Sequence, residues 1–336
     1  MQLESNLQNK SIGVMNLRKI LIIALCMIAI VQSGTRDISK LPIENDTPVY
    51  QETYERIANT PWSVIFANFS LISTEYDGRD AGYPIFLKLT QLITVNFTFY
   101  MFFIATLFML TFGMLIYKYV RSPLGIILSF LVFFALFSNI INSFMRQAIT
   151  LSIVLFALRF VLSREWKKYF ILILLAITIH SSAIVAAPLY FLYRIVSSKK
   201  WVLMAIIITP VLMLFSKLLL ISFVSGTLYE DYIGSDSANP SKYIGFIFLV
   251  SILGYLSFNY VKNQNGYELL ISGIIGSLLL TPIVQMGYTL LRISYYYVLL
   301  LVPLIPIIID SSKVKPIVRL TIYFLSISFL FIFISY

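Results

Sequence analysis

Four ionisable side chains interrupt otherwise apolar runs: Arg146, His180, Lys217 and Arg292. A charge inside a membrane is expensive and is a functional candidate by default. Two guanidinium groups suit a phosphate-bearing ligand, because the arginine fork bonds phosphate oxygens in pairs and keeps its charge. The only histidine carries the side chain whose charge changes near neutral pH, which fits it to move a proton. Outer carboxylates are the alternative bases, and Asp80 and Asp46 stand out because each lies near a helix start. Tyr83, Tyr229 and Tyr232 offer rings that stack on sugars or sit in an interfacial belt. Asp77-Gly78-Arg79-Asp80 reads as a metal or turn motif, with a solvated turn as the simpler role. Structural roles stay open for the others too: the arginines and Lys217 snorkelling to headgroups, His180 as a hydrogen-bonded packing residue.

What must position these residues is set by composition. Of 336 residues 59% are hydrophobic and 12% charged, with a mean hydropathy of +0.88. A soluble domain carries about twice that share of charge, so too little polar surface remains to cover a soluble particle. A soluble enzyme, a nucleic-acid-binding domain and a disordered chain are excluded, and the solvent is a bilayer. Cys26 and His180 are the only residues of their types, which excludes a zinc site of the usual His/Cys kind. No cofactor is expected.

The expected fold class is all-α, a polytopic integral membrane protein with about 10–12 transmembrane helices forming one domain over residues 1–336. Ile20 to Val31 reads as a signal anchor after Lys10, Arg18 and Lys19. A long outer loop, 34–81, carries eight acids, and Gly82 to Val95 reads as a short amphipathic helix at the interface. Crossings then follow at Phe97–Tyr117, Leu124–Asn139, Phe144–Leu162, Tyr169–Ile179, Ala183–Ile195, Trp201–Val224, Tyr243–Tyr260, Tyr267–Gly287, Ile293–Ile309 and Ile317–Ile334, with a second outer loop at 225–242. In this register the bases Lys118, Arg121, Arg164, Lys167, Lys168, Arg194, Lys199, Lys200, Lys262, Lys313 and Lys315 fall inside. Most acids fall outside, so the net charge of +10 reflects topology.

Tyr169 to Ile195 resists a single crossing. Its 27 residues would make a helix of roughly 40 Å, long for one crossing and short for two. Basic clusters flank it on both sides, so it should turn back as a broken or re-entrant hairpin around His180-Ser181-Ser182. Irregular backbone at that depth must be buried in protein or line a wet cavity; a hydrated cavity opening outward is the expectation. Arg146, His180, Lys217 and Arg292 then all fall in the outer half of the membrane, on the side of the acidic segment.

At these residues the chain resembles the EpsG-type family of exopolysaccharide and O-antigen polymerases, also described as Wzy-like. The matching pieces come in order. Asp46, Tyr50 and Tyr54 stand in an Asp-x-x-x-Tyr-x-x-x-Tyr pattern, and Asp80-Ala81-Gly82-Tyr83 leads into the next helix. Asn142-x-x-x-Arg146-Gln147 opens another, followed by His180-Ser181-Ser182-Ala183, then Arg292 with Tyr295–Tyr297 ahead of Pro303. The family often has Glu where this chain has Asp80.

The resemblance implies a glycosyltransferase that joins polyprenyl-pyrophosphate-linked oligosaccharide repeat units at the outer face of the bacterial cytoplasmic membrane, for capsule, exopolysaccharide or O-antigen. It implies His180 and Asp80 as catalytic residues, and Arg146, Gln147, Arg292, Asp46, Tyr50 and Tyr83 as substrate-binding ones. Expected partners are the lipid-linked oligosaccharide, membrane lipids, a chain-length regulator and a flippase, with no nucleic acid. The runner-up is a lipid-linked oligosaccharide flippase, which would also use broken helices, though no internal repeat is visible. A membrane-bound acyltransferase would need its donor site reachable from inside.

Overall fold

Long apolar runs between capping residues produce a chain that is mostly helical over its described residues. The computed structural model describes residues 2–41, 45–67, 80–196, 198–224, 240–311 and 315–334, with no account of the side chains of 1–15, 217–224, 288, 289 and 329–334. Asp77 and Arg79, Tyr229 and Tyr232, and the Lys217 side chain therefore lie outside the described residues. The helices in order are α1 (Gln2–Gly34), α2 (Thr47–Ala58), α3 (Trp62–Ala67), α4 (Gly82–Gln91), α5 (Phe97–Tyr119), α6 (Pro123–Leu136), α7 (Asn139–Asn142) and α8 (Met145–Leu162). They continue as α9 (Trp166–Ile179), α10 (Leu189–Ile195), α11 (Lys199–Val224), α12 (Ser241–Leu256), α13 (Phe258–Val261), α14 (Tyr267–Val284), α15 (Tyr288–Val298), α16 (Leu304–Ser311) and α17 (Pro316–Ile334).

Among the described residues six helical segments are long and apolar enough to cross a bilayer: Asn16–Gly34, Phe97–Tyr119, Met145–Leu162, Lys199–Ser216, Tyr267–Val284 and Leu290–Ser311. Four shorter apolar helical segments, Pro123–Leu136, Ser181–Ile195, Ser241–Leu256 and Pro316–Ser328, accompany them. The chain is an all-α polytopic membrane protein. Two expected crossings are interrupted. The one ending at Tyr260 breaks at Ser257 between α12 and α13, and the last but one breaks at a 3-10 turn, Leu299–Leu301, ahead of Pro303. Proline lacks the N–H that a continuous helix needs.

The chain forms two units, one of residues 1–157, 171–184 and 320–336, the other of 158–170 and 185–319. In the first, α1 packs along α5 and α6, and α2 packs on α4 and α5. Helix ends here are closed by side chains. Asn96 and Ser122 accept from the N–H groups of Phe99 and Gly125 and so cap α5 and α6, the usual service of Asn and Ser at this position. Arg18 donates to the carbonyls of Tyr117 (2.6 Å) and Val120 (2.8 Å) at the end of α5. Lys88 does the same for Ile57 and Ala58 at the end of α2. Cations at C-terminal carbonyls satisfy orphan acceptors and complement the helix dipole. The core is aromatic, with Phe108, Phe112, Phe130 and Phe133 fully buried and Phe112 lying 5.0 Å from Phe133 between ring centres.

The polar segment 34–81 is not an irregular loop: its described part contains α2 and α3. The buried face of α2 is Thr47, Tyr50, Tyr54 and Ile57, a helical spacing. In the second unit α14 is central, packed by α10, α11, α12 and α15. Gly276 lets α15 approach, because a Cβ there would lie 2.0 Å from the Tyr297 ring.

The hairpin forms as the flanking charges require. Helix α9 ends at Ile179, a 3-10 turn covers Ser181–Ala186, and α10 follows. Tyr169 lies 5.6 Å from Tyr190 and Phe170 5.8 Å from Phe191 between ring centres, so the second limb runs back along the first. Its freed carbonyls meet protein: Tyr169 Oη donates to Ala186 O (2.6 Å) and Tyr297 Oη to Val185 O (2.9 Å). These two carbonyls are satisfied by protein, while Ser181 at the turn is exposed.

Candidate functional site

Asp80 closes the approach to α4 in a left-handed conformation, φ 59°. Such a φ costs an L-residue roughly 1–2 kcal/mol, less for Asp than for most. It lets the Asp80 carbonyl accept the first bond of α4, from the Tyr83 N–H at 2.8 Å. It also holds the carboxylate, only 5% exposed, where three donors reach it. Arg146 Nη1 and His180 Nδ1 each lie 3.0 Å from Oδ2, and the Ser181 backbone N–H donates to Oδ1 at 2.8 Å. Burial by itself would raise the Asp80 carboxyl. The His180 hydrogen bond and charge, the Arg146 guanidinium and the Ser181 N–H outweigh it and hold the group below the usual carboxylate range.

The three partners come from two helix ends. Arg146 is on the first turn of α8, whose N-terminal dipole adds positive potential. His180 and Ser181 sit at the break between the hairpin limbs, where the helix stops supplying partners to the Ser181 N–H. An ionised carboxylate only accepts, so His180 Nδ1 carries the proton. In the neutral ring the lone pair is then on Nε2, facing away from Asp80. His180 is 27% exposed and Arg146 39%.

Aromatic rings hold the guanidinium. Arg146 Cζ lies 5.8 Å from the centre of the Tyr50 ring and 5.7 Å from that of Tyr83, within cation–π range. Both rings are buried and meet edge to face at 6.1 Å. The Tyr83 hydroxyl is 3.2 Å from that of Tyr100, which stacks on Tyr54. Burial pushes the Tyr83 phenol up, so it stays a neutral hydroxyl. The Arg146 Nε–H is buried and finds no partner among the described residues.

Of the residues singled out in the sequence, Tyr50, Asp80, Tyr83, Arg146 and His180 are thus brought together. Gln147 is buried beside Arg146 on α8. Asp46 stands at the start of α2, and its N–H donates to Ser143 Oγ (3.1 Å), three residues before Arg146. Arg292 belongs to the second unit, half-buried on the second turn of α15.

Sequence reasoning missed two contributors. One is the Ser181 backbone N–H. The other is Arg36, whose guanidinium donates to Ser33 O and Oγ and to Thr47 Oγ1, while Thr47 Oγ1 donates to Asn142 O. Arg36 ties the end of α1 to α2 and to the turn before α8; burial lowers it to about 10, which leaves it charged at neutral pH. Its only sequence signal was a base among eight acids.

Gly82 sets how closely α4 can approach α9. A Cβ there would lie 2.4 Å from Thr178 Oγ1 and 2.9 Å from the Thr178 carbonyl oxygen. The carbonyl cannot rotate away, so α4 must shift and carry Asp80 off His180 and Ser181. Gly82→Ala is expected to destabilise the protein by about 1–3 kcal/mol, the usual cost of overpacking, and to lower activity with it. Thermal unfolding in detergent and activity in vesicles check this. Gly82→Ala/Thr178→Ala should recover only part of the stability, since the backbone contact persists; full recovery would place the constraint in the Thr178 side chain alone.

No curated protein and no solved structure significantly matches the chain. A family model described as the EpsG family matches residues 18–336, nearly its whole length. The chain belongs to the EpsG family and is a membrane protein of polysaccharide biosynthesis.

Proposed function

We propose that the protein is a polysaccharide polymerase, a glycosyltransferase that moves a growing glycan from a polyprenyl-pyrophosphate carrier onto a hydroxyl of a new lipid-linked repeat unit, at the outer face of the cytoplasmic membrane. One observation carries this reading. Asp80 fixes the tautomer of His180 so that Nε2 is free, and the same carboxylate pins one arm of Arg146.

In this reading His180 Nε2 takes the proton of the acceptor hydroxyl as that oxygen attacks the anomeric carbon of the donor. The bond from that carbon to the pyrophosphate oxygen breaks, and the lipid pyrophosphate leaves with the electron pair. Charge grows on the leaving group, and Arg146 donates to it from its remaining N–H groups, assisted by the α8 N-terminus. Donors fixed in advance at a developing charge are worth several kcal/mol. Asp80 does not touch substrate; it is a positioning residue for both. Tyr50 and Tyr83 keep the guanidinium aimed. Arg292, half-buried on α15 of the second unit, is proposed as a substrate-binding residue there.

Purified protein in liposomes, given a defined lipid-linked repeat unit, tests the proposal. A ladder of product lengths on a gel is expected. Translocation of the unit without elongation would overturn it in favour of a flippase.

A further inference from the structure

A groove of about 690 Å³ runs through the first unit between α4, α5, α8 and α9. That size is typical of ligand clefts, roughly 300–1,000 Å³. Its walls are apolar, with Phe86, Leu107, Ile153, Phe156 and Leu172 among them. The hydroxyls that reach it are already used within their own helices: Thr111 donates to Leu107 O and Phe108 O, Ser152 to Ala148 O, and Thr178 to Leu175 O. With those protons engaged, a glycan would find few hydrogen-bonding groups here, whereas a hydrocarbon loses nothing on entering.

One end of the groove lies beside the site described above. Gly82, Ile149 and Ile179 line it and stand within three residues of Asp80, Arg146 and His180 respectively. From Ile149 to Phe156 it follows α8 for ~10 Å at the helical rise. Leu89 and Leu175 at its walls are half exposed, so the groove is accessible to lipid from the side.

We infer that this groove binds the first isoprenoid units of the prenyl chain of the lipid-linked substrate, a proposal that rests on the polymerase reading. The match is one of shape and charge together. A prenyl pyrophosphate is a single chain with its phosphate directly at the chain end. A groove that ends beside a half-exposed guanidinium on a helix N-terminus accepts the chain and its charged end in one piece. A phospholipid has two chains, with a glycerol between them and its phosphate.

The full-length protein, in vesicles of phosphatidylethanolamine and phosphatidylglycerol, would be irradiated with a prenyl pyrophosphate carrying a diazirine near the head end of its chain. Mass spectrometry would then map the label. Labelling of peptides from α4 and α8 is expected, displaced by unlabelled prenyl pyrophosphate and not by added phosphatidylglycerol. Ile153→Trp, which narrows the groove, should lower labelling about tenfold, while Ile153→Leu keeps it and controls for folding. Displacement by phosphatidylglycerol at equal concentration, or wild-type labelling of Ile153→Trp, overturns the proposal. Labelling needs no turnover, so the two readings separate. Elongation without labelling in the groove sinks the groove, and labelling in the groove without elongation sinks the polymerase.

Discussion

His180→Ala abolishes the product ladder while the protein still inserts and folds, if the Nε2 lone pair is the base. General-base assistance is worth about 10²–10⁴ in rate, and elongation measured as initial rate per turnover should fall by that factor. The more telling variant is Asp80→Asn, which keeps shape and removes charge. An amide at this position turns its oxygen or its NH₂ toward His180, and the NH₂ would favour the tautomer protonated on Nε2. A carboxylate-to-amide change behind a catalytic histidine costs about 10⁴ in the Ser-His-Asp triad, and a loss of at least ~10²-fold is expected here by the same logic. Residues that act as one unit are not additive. The double variant Asp80→Asn/His180→Ala should therefore be no slower than the worse single one. If Asp80→Asn elongates within a few-fold of wild type, Asp80 is a packing residue and His180 is not oriented by it.

The members of this site were legible one by one, and their meeting was not. Arg146 and His180 stood out because a charge in an apolar run lacks a topological explanation, and Asp80 because it precedes a helix. Yet Asp80 is 66 residues from Arg146 and 100 from His180, and no periodicity reports on pairs that far apart. The sequence reading offered His180 or an outer carboxylate, Asp80 or Asp46, as base, since composition cannot say which carboxylate is engaged. Only the three donors at Asp80 separate the roles. The crossings were legible wherever caps and apolar length agreed, as at Asn96 and Ser122. Helix α2 was hidden by its polar average, though Tyr50, Tyr54 and Ile57 follow the helical period and Asn45 accepts from the Thr47 N–H (2.9 Å) just before it. At the hairpin, buried Tyr169 and Tyr297, invisible as partners in sequence, satisfy the carbonyls of Ala186 and Val185.

Arg146 carries the second large effect, and its variants separate charge from geometry. Arg146→Ala is expected to lower kcat/KM by about 10²–10³, the loss typical of removing one donor at a developing oxyanion. Arg146→Lys restores the charge but not the fork. One arm of the arginine is held by Asp80 and its Cζ lies 5.8 and 5.7 Å from the centres of two tyrosine rings, an arrangement an ammonium cannot occupy while also reaching a phosphate. Lysine should therefore recover only a small part of the rate. Stability gives an independent readout. Arg146→Ala leaves the buried Asp80 carboxylate with His180 and the Ser181 N–H alone, and removing one partner of a buried pair is costly. Because Arg146 is itself partly exposed, a loss of ~1–3 kcal/mol is expected, read by thermal unfolding. Arg146→Ala/Asp80→Asn removes the stranded charge and should regain most of that stability without regaining activity. Recovery of both would mean that the arginine serves only to neutralise Asp80; recovery of stability alone leaves its free N–H groups as the part that acts on the substrate.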